Sequence, residues 1–312
     1  MQYVGDQITD VRRDTNNSDF SSTTGIDTED VLRYVNWGQD QIFALVLQTN
    51  PNVFQAEEII SLVANQESYV LTGNVYLGER IVNVEFSPTG QVRDYYKIYE
   101  SPISNRNTYP QHYPLYYTRR NGAIYLIPAP SASSGTLRVV YERALDKLDI
   151  RRGQITNRII AGSSLTSLTL NTGSDDPTRL QSTPNYLCVS DAFGNVTAYN
   201  ISYTSYDSGT GAVTLSGGAH TLASGESVSV GSYVTVGRYT TTHSKLKDPC
   251  ERFLELYAAS KLYERDSRGA TNRNSILSEM DGVKIEILNS YQMPDKDEHE
   301  IQISNRDLML QF

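Results

Sequence analysis

Residues 116–149 read YYTRRNGAIYLIPAPSASSGTLRVVYERALDKLD. Ile124 and Leu126 alternate with Tyr125 and Ile127, and Leu137, Val139 and Tyr141 repeat the same period of two. That period puts successive side chains on opposite faces of a strand. Pro128 and Pro130 stop the first run because proline cannot donate to a ladder. Gly135 lets the chain turn back. The stretch is therefore expected to be a β-hairpin closed by PAPSASSG, with no catalytic residue nearby.

Strand periodicity extends on the amino-terminal side. SYVLTGNVYL, RIVNVEF and DYYKIYE join the quoted stretch to predict four to six antiparallel strands over residues 68–145. Before them, Val31, Val35, Gly38, Ile42 and Leu45 or Val46 recur at helical steps. Asp27 or Thr28 can cap that helix, Glu29 and Asp30 suit its positive end, and NPN at 50–52 ends it. A shorter helical piece is expected through VFQAEEIISLVANQ. Residues 1–25 are polar and are expected to form an extended arm.

Residues 151–241 change texture. Ser, Thr and Gly dominate, and short strands are punctuated by turns such as DAFGN and DSGTG, which predicts an inserted β-sandwich or small barrel. Helical sequence then resumes. KDPCERFLELYAASKLYERDSRG offers Asp248 as a cap, Pro249 at the first helical position and Glu251 as the partner of a capping box. Leu254, Ala258 and Leu262 form its inner stripe. A last helix over roughly 271–291 carries Ile276, Met280, Val283, Ile287 and Tyr291 on one face, and Pro294 stops it.

The expected class is α+β. A helical body of three to four helices (residues 26–150 and 242–293) carries the hairpin region, with the β domain at 151–241 inserted and a tail at 294–312. The candidate helical core is Val35, Ile42, Leu254, Ala258, Leu262, Ile276, Met280 and Ile287. The tail ends in Leu308, Met309, Leu310 and Phe312, a candidate partner-binding segment that would order as it docks.

Composition narrows the function. The 312 residues carry a formal charge of −9, which argues against a protein that grips duplex DNA. Twenty-two tyrosines against 7 Phe and 1 Trp suit strand faces and subunit interfaces. Cys188 and Cys250 fit neither a disulfide framework nor a zinc spacing. The start has no apolar leader and no 18-residue apolar run follows, so folding in a cytoplasm without a membrane is expected. The sequons at Asn16, Asn195 and Asn200 are then coincidental. No phosphate loop, nucleophile elbow or metalloprotease motif occurs. His112, His220, His243 and His299 are scattered and expected to be solvated. Asp175 and Asp176 read as a solvated turn rather than a cation site, and Arg119 and Arg120 as charges on an edge strand. No enzyme, cofactor or metal is expected.

The order of parts resembles the head–tail connector (adaptor) proteins of tailed bacteriophages. The pieces that carry the resemblance are DTEDVLRYVNWGQDQIFALV, GAIYLIPAPSASSGTLRVVYERALDKLD and LKDPCERFLELYAASKLYERD. The resemblance implies a homo-oligomeric ring, typically of twelve copies, in the virion neck between capsid and tail. Its partners would be the portal protein, tail or nozzle proteins, and genomic DNA that passes through the lumen without specific binding. A rival reading is a virion fibre or glycan-binding host-recognition module with Tyr199, Tyr203 and Tyr206 as an aromatic platform. A cell-wall hydrolase is a second rival, although no spacing singles out a carboxylate pair.

Overall fold

A computed structural model describes residues 2–15, 27–75, 80–102, 114–120, 122–131, 133, 135–173, 175–181, 185–265 and 270–292. The class is α+β, with helices α1 (Val4–Asp14), α2 (Thr28–Thr49), α3 (Asp248–Arg265) and α4 (Ala270–Tyr291).

The expected extended arm is corrected over residues 4–14, which are helical. Val4, Ile8 and Val11 fall at helical spacing and are buried in the common helical core. Their signal is masked by the polar residues between them. The other three helices complete that core. Val35, Ile42, Leu254, Ala258, Leu262, Met280 and Ile287 are buried there, and Ile276 packs against it partly buried. Gly38 lets α2 approach α3: a Cβ at that position would stand 3.2 Å from Tyr257. Asp27 is the N-cap residue of α2 but makes no side-chain capping bond.

The first barrel-like sheet contains β1 (Gln55–Ser61), β2 (Ser68–Val70), β3 (Ile81–Ser87), β4 (Tyr96–Glu100), β5 (Tyr116–Arg120), β6 (Ala123–Ile127) and β7 (Thr136–Glu142). Their spatial order is β1-β7-β3-β4-β5-β6-β2. Two expectations fail here. The segment VFQAEEIISLVANQ is a strand at its centre, not a helix. Ala56 and Ile60 pack inward while Glu57 and Ile59 are exposed, a period of two that AEEII alone does not separate from a helical one. The quoted stretch is also not a hairpin across PAPSASSG. β6 pairs with β5 and β2, whereas β7 pairs with β1 and β3, so the proline-rich segment crosses between distant strands.

The hairpin in that stretch is β5–β6, where Arg120 pairs with Ala123 and Gly122 takes φ +71°. Gly135, at φ +105°, is required at the far end of the crossing, because a Cβ there would meet the Ser87 carbonyl at 2.6 Å. β4 and β5 pair in parallel, an exception to the expected antiparallel order. Arg119 is not on an edge: β5 lies between β4 and β6, and its guanidinium forks onto Glu100 with two contacts of 2.9 Å.

Two short strands, β8 (Lys147–Leu148) and β16 (Thr240–Thr241), bracket the second sheet and pair in parallel. Between them run β9 (Gly153–Ala161), β10 (Ser164–Asn171), β11 (Asn185–Ser190), β12 (Val196–Tyr206), β13 (Ala212–Leu215), β14 (His220–Thr221) and β15 (Tyr233–Val236). The order β13-β12-β11-β15-β9-β10 closes on itself because β10 also pairs with β13, and β14 is appended to β10. Closure removes free edges from that circuit. Ile155, Leu165, Leu168, Leu187, Val189, Ile201, Tyr203 and Val234 fill its interior.

Candidate interaction surface

The densest polar structure lies where the chain passes from the first barrel to the second. Asp149 and Arg152 have no exposed side-chain surface. Arg152 Nε donates to both Asp149 oxygens at 3.1 and 3.2 Å, and its Nη2 donates to Asp149 and to Glu29 of α2, each at 2.5 Å. Asp176 Oδ2 stands 3.5 Å from Arg152 Nη1, and Arg179 reaches Glu29 and Asp149 at 3.7 and 3.6 Å. The remaining acceptor capacity of Asp149 takes the Val236 amide at 2.7 Å. Burial opposes the Arg152 charge, but its bonds to Asp149 and the charges of Asp149 and Glu29 prevail, holding its pKa above the ordinary value.

A second cluster flanks β8. The almost fully buried Asp146 carboxylate accepts from Lys245 Nζ at 2.7 Å, from the Tyr199 hydroxyl at 3.0 Å and from Arg143 at 3.1 Å. Tyr199 belongs to the second barrel, so this ion cluster ties barrel to body. Two amides of α2 pin the same crossing segment: Gln39 Nε2 donates to the Asp146 carbonyl, and Asn36 exchanges bonds of 2.9 and 2.8 Å with the Leu148 backbone. The Tyr239 hydroxyl donates to the Thr72 carbonyl at 2.7 Å and joins the two barrels directly.

α1 is bound into the same junction. Val4 N donates to the Thr242 carbonyl at 3.0 Å, and the Tyr3 hydroxyl accepts from Arg151 N at 3.0 Å. The Arg151 guanidinium lies between the Tyr3 and Tyr233 rings, 4.4 and 3.9 Å from their centroids. His243, expected to be solvated, is buried instead. Burial and Arg151 lower its pKa, and Thr242 Oγ1 is 2.8 Å from its Nδ1.

On the outer side, α2 and the second barrel form an open cleft of about 760 Å³. Its wall includes half-exposed Trp37, Arg33 stacked on Tyr34 and Trp37, and Arg238 stacked on Tyr186. Stacked arginines and a partly exposed tryptophan are residue types that concentrate at protein interfaces. Among the described residues no group of three or more His, Cys, Asp or Glu side chains is placed to hold a metal ion. The geometry is that of a buried clamp beside an open cleft.

The residues singled out from the sequence fall as follows. Asp176 is not part of a solvated turn alone, since it reaches the buried Arg152. Tyr203 is enclosed in the barrel, Tyr199 is tied to Asp146 and Tyr206 packs partly buried, so the three make no exposed platform. Cys188 and Cys250 are buried, and burial pushes the Cys250 thiol up to about 11. Leu308, Met309, Leu310, Phe312, His112 and His299 lie outside the described residues. The clamp residues Glu29, Asp146, Asp149 and Arg152 were missed. For the last three the signal was the alternation of opposite charges in YERALDKLDIRR, within sequence otherwise read as strand.

Residues 2–153 match the family model of the SU10 adaptor protein. The matched stretch contains α1, α2, the first barrel and the crossing segment with Asp149 and Arg152, and it stops where β9 opens the second barrel. The resemblance to phage head–tail adaptors thus holds across this stretch, and the adaptor match points to a structural role in a phage. A search of curated proteins finds no match. Among the described residues of this adaptor-like chain, no helix is long and apolar enough to cross a membrane.

Proposed function

We propose that the protein is the adaptor ring of a tailed-phage neck, joining the portal to the tail or nozzle and continuing the DNA channel. The observation that carries this reading is the adaptor match over residues 2–153. The clamp supports it physically. Buried ion clusters fix α2, the crossing segment and the second barrel to one another, and a rigid subunit repeated by rotation gives a ring of defined geometry through heterologous contacts. Twelve copies is the number the resemblance implies. The acidic chain favours a lumen that releases DNA rather than holding it. The protein acts in the virion, without catalysis, after folding in the host cytoplasm.

The test is a phage lacking the gene, complemented or not by the wild-type protein. Uncomplemented infections should give DNA-filled heads without attached tails, and purified protein should image as rings. Normally tailed particles without the protein would overturn the reading.

A further inference from the structure

The turn between β11 and β12 holds Phe193 out to solvent. The side chain is 79% exposed, and the turn that carries it is firmly fixed. Asp191 Oδ1 accepts from the Phe193 and Asn195 amides at 2.9 and 2.8 Å, and its Oδ2 accepts from Asn195 Nδ2 at 2.8 Å. Gly194, at φ +84°, lies so close to His243 that a Cβ there would stand 2.3 Å from the imidazole. Thr241 Oγ1 donates to the Gly194 carbonyl at 3.2 Å. An aromatic side chain held in place this way loses little conformational freedom when a partner buries it. Burial opposes the Asp191 charge, but the bonds from Asn195, Phe193 and Gly194 prevail and hold its pKa below the ordinary value. The turn thus presents an apolar ring with a negative charge at its base.

The cleft between α2 and the second barrel has the matching chemistry. Arg33, Lys147, Arg179 and Arg238 line it together with Glu29, Asp30 and Asp40. Two of the acids are already engaged, Glu29 with the buried Arg152 and Asp30 with Arg33 and Arg265. Burial pushes the Asp40 carboxyl up against the pull of Lys147. Trp37, 46% exposed, and the Arg33 and Arg238 guanidinium planes offer surfaces on which an aromatic ring stacks. The turn does not reach the cleft of its own copy. Arg238 stacks on Tyr186 at the cleft end of β11, and the turn leaves the other end after Ser190. Those two ends are about 13 Å apart at the usual strand rise per residue. Knob and cleft therefore lie at opposite ends of one strand.

We propose that Phe193 of one copy enters the α2 cleft of the next and packs on Trp37 between Arg33 and Arg238, with Asp191 meeting the cationic rim. A rigid aromatic anchor seated among arginines and a tryptophan is the composition of an interface hot spot. The two surfaces share no residue, so the contact is heterologous and propagates around a ring. The proposal rests on the adaptor-ring reading only in requiring adjoining copies.

Single-cysteine variants test it with Phe193 and Trp37 left in place. Full-length protein carrying Ala192→Cys is mixed with protein carrying Arg33→Cys or Lys147→Cys, then oxidised. Cys188 and Cys250 are buried. At least one pair should give a covalent heterodimer on a non-reducing gel. The band should disappear with reductant and on adding Phe193→Ser to the turn variant. Phe193→Ser alone should weaken self-association by about tenfold or more. Its melting temperature as a separated subunit should not change, because the side chain is exposed there. Cross-linking confined to single chains that carry both cysteines would overturn the proposal, because the turn would then dock on its own copy. Phe193→Ser protein that still images as rings would also overturn it and leave the ring reading standing. Wild-type protein that stays monomeric at every concentration, with no cross-link between the variants, would overturn both.

Discussion

Asp149 and Arg152, three residues apart, face each other without solvent contact at the point where the chain leaves one barrel for the other. Breaking a buried pair by removing one member leaves a bare charge, which costs about 3–5 kcal/mol. Asp149→Asn should therefore lower stability by that order and lose part of the Val236 amide bond as well. Urea denaturation of the two proteins checks it. An unchanged midpoint would mean that Glu29 and Asp176 suffice to hold Arg152.

The second barrel should show an alkaline weakness traceable to Tyr203. Burial pushes its hydroxyl up to about 12, and the hydroxyl donates to the Leu180 carbonyl at 3.1 Å. The folded pKa lies above the unfolded value of about 10. The protonated form therefore contributes stability that is complete below about 10 and lost as pH rises toward 12. Tyr203→Phe should be less stable at neutral pH but flatter across that window. Equal slopes in melting temperature against pH would refute the assignment.

Gly135→Ala should destabilise the first barrel by about 1–3 kcal/mol, through a left-handed backbone and the clash with the Ser87 carbonyl. Gly122→Ala is the control, because its φ is also positive but nothing lies within 4 Å of the added carbon. Thermal melts should rank Gly135→Ala below Gly122→Ala.

Excision of the second barrel should leave the helices folded. Lys147 N is 2.8 Å from the Tyr239 carbonyl, so the chain ends produced by the cut are already adjacent. A short glycine–serine link from residue 149 to 240 should preserve the helical circular dichroism. Collapse of that signal would place the barrel within the main folding unit.

Replacing Leu254 by Asp should be among the most damaging single changes. Leu254 is wholly buried in the helical core, and an unpaired charge there costs several kcal/mol, about the stability of a modest domain. A normally melting Leu254→Asp protein would contradict the packing.

Helices with an uninterrupted stripe were legible in the sequence. Val35 and Ile42 or Leu254, Ala258 and Leu262 announce a buried face by spacing alone, because local geometry fixes which side chains share it. The class α+β followed from the same signals. Strand partners were not legible. The alternation at Ile124 and Leu126 and at Leu137 and Val139 is satisfied equally by pairing with each other or with distant strands, and the fold takes the latter, β6 pairing with β5 and β2 and β7 with β1 and β3. The clamp was hidden for a related reason: Glu29 and Arg152 are 123 residues apart, and charged residues read one at a time look solvated. The β5–β6 hairpin could have been found, since an Asn-Gly dipeptide between two strand-like runs favours a two-residue connection.

The parallel pairing of β8 and β16 has a mechanical side. The second barrel continues from the carboxyl end of β8 and returns into the amino end of β16, so it hangs from opposite ends of this short stem. A pull between barrel and helices along the stem would slide the two strands past each other. The bonds from Lys147 N to Tyr239 O and from Asp149 N to Thr241 O, at 2.8 and 2.9 Å, would then share the load and yield together.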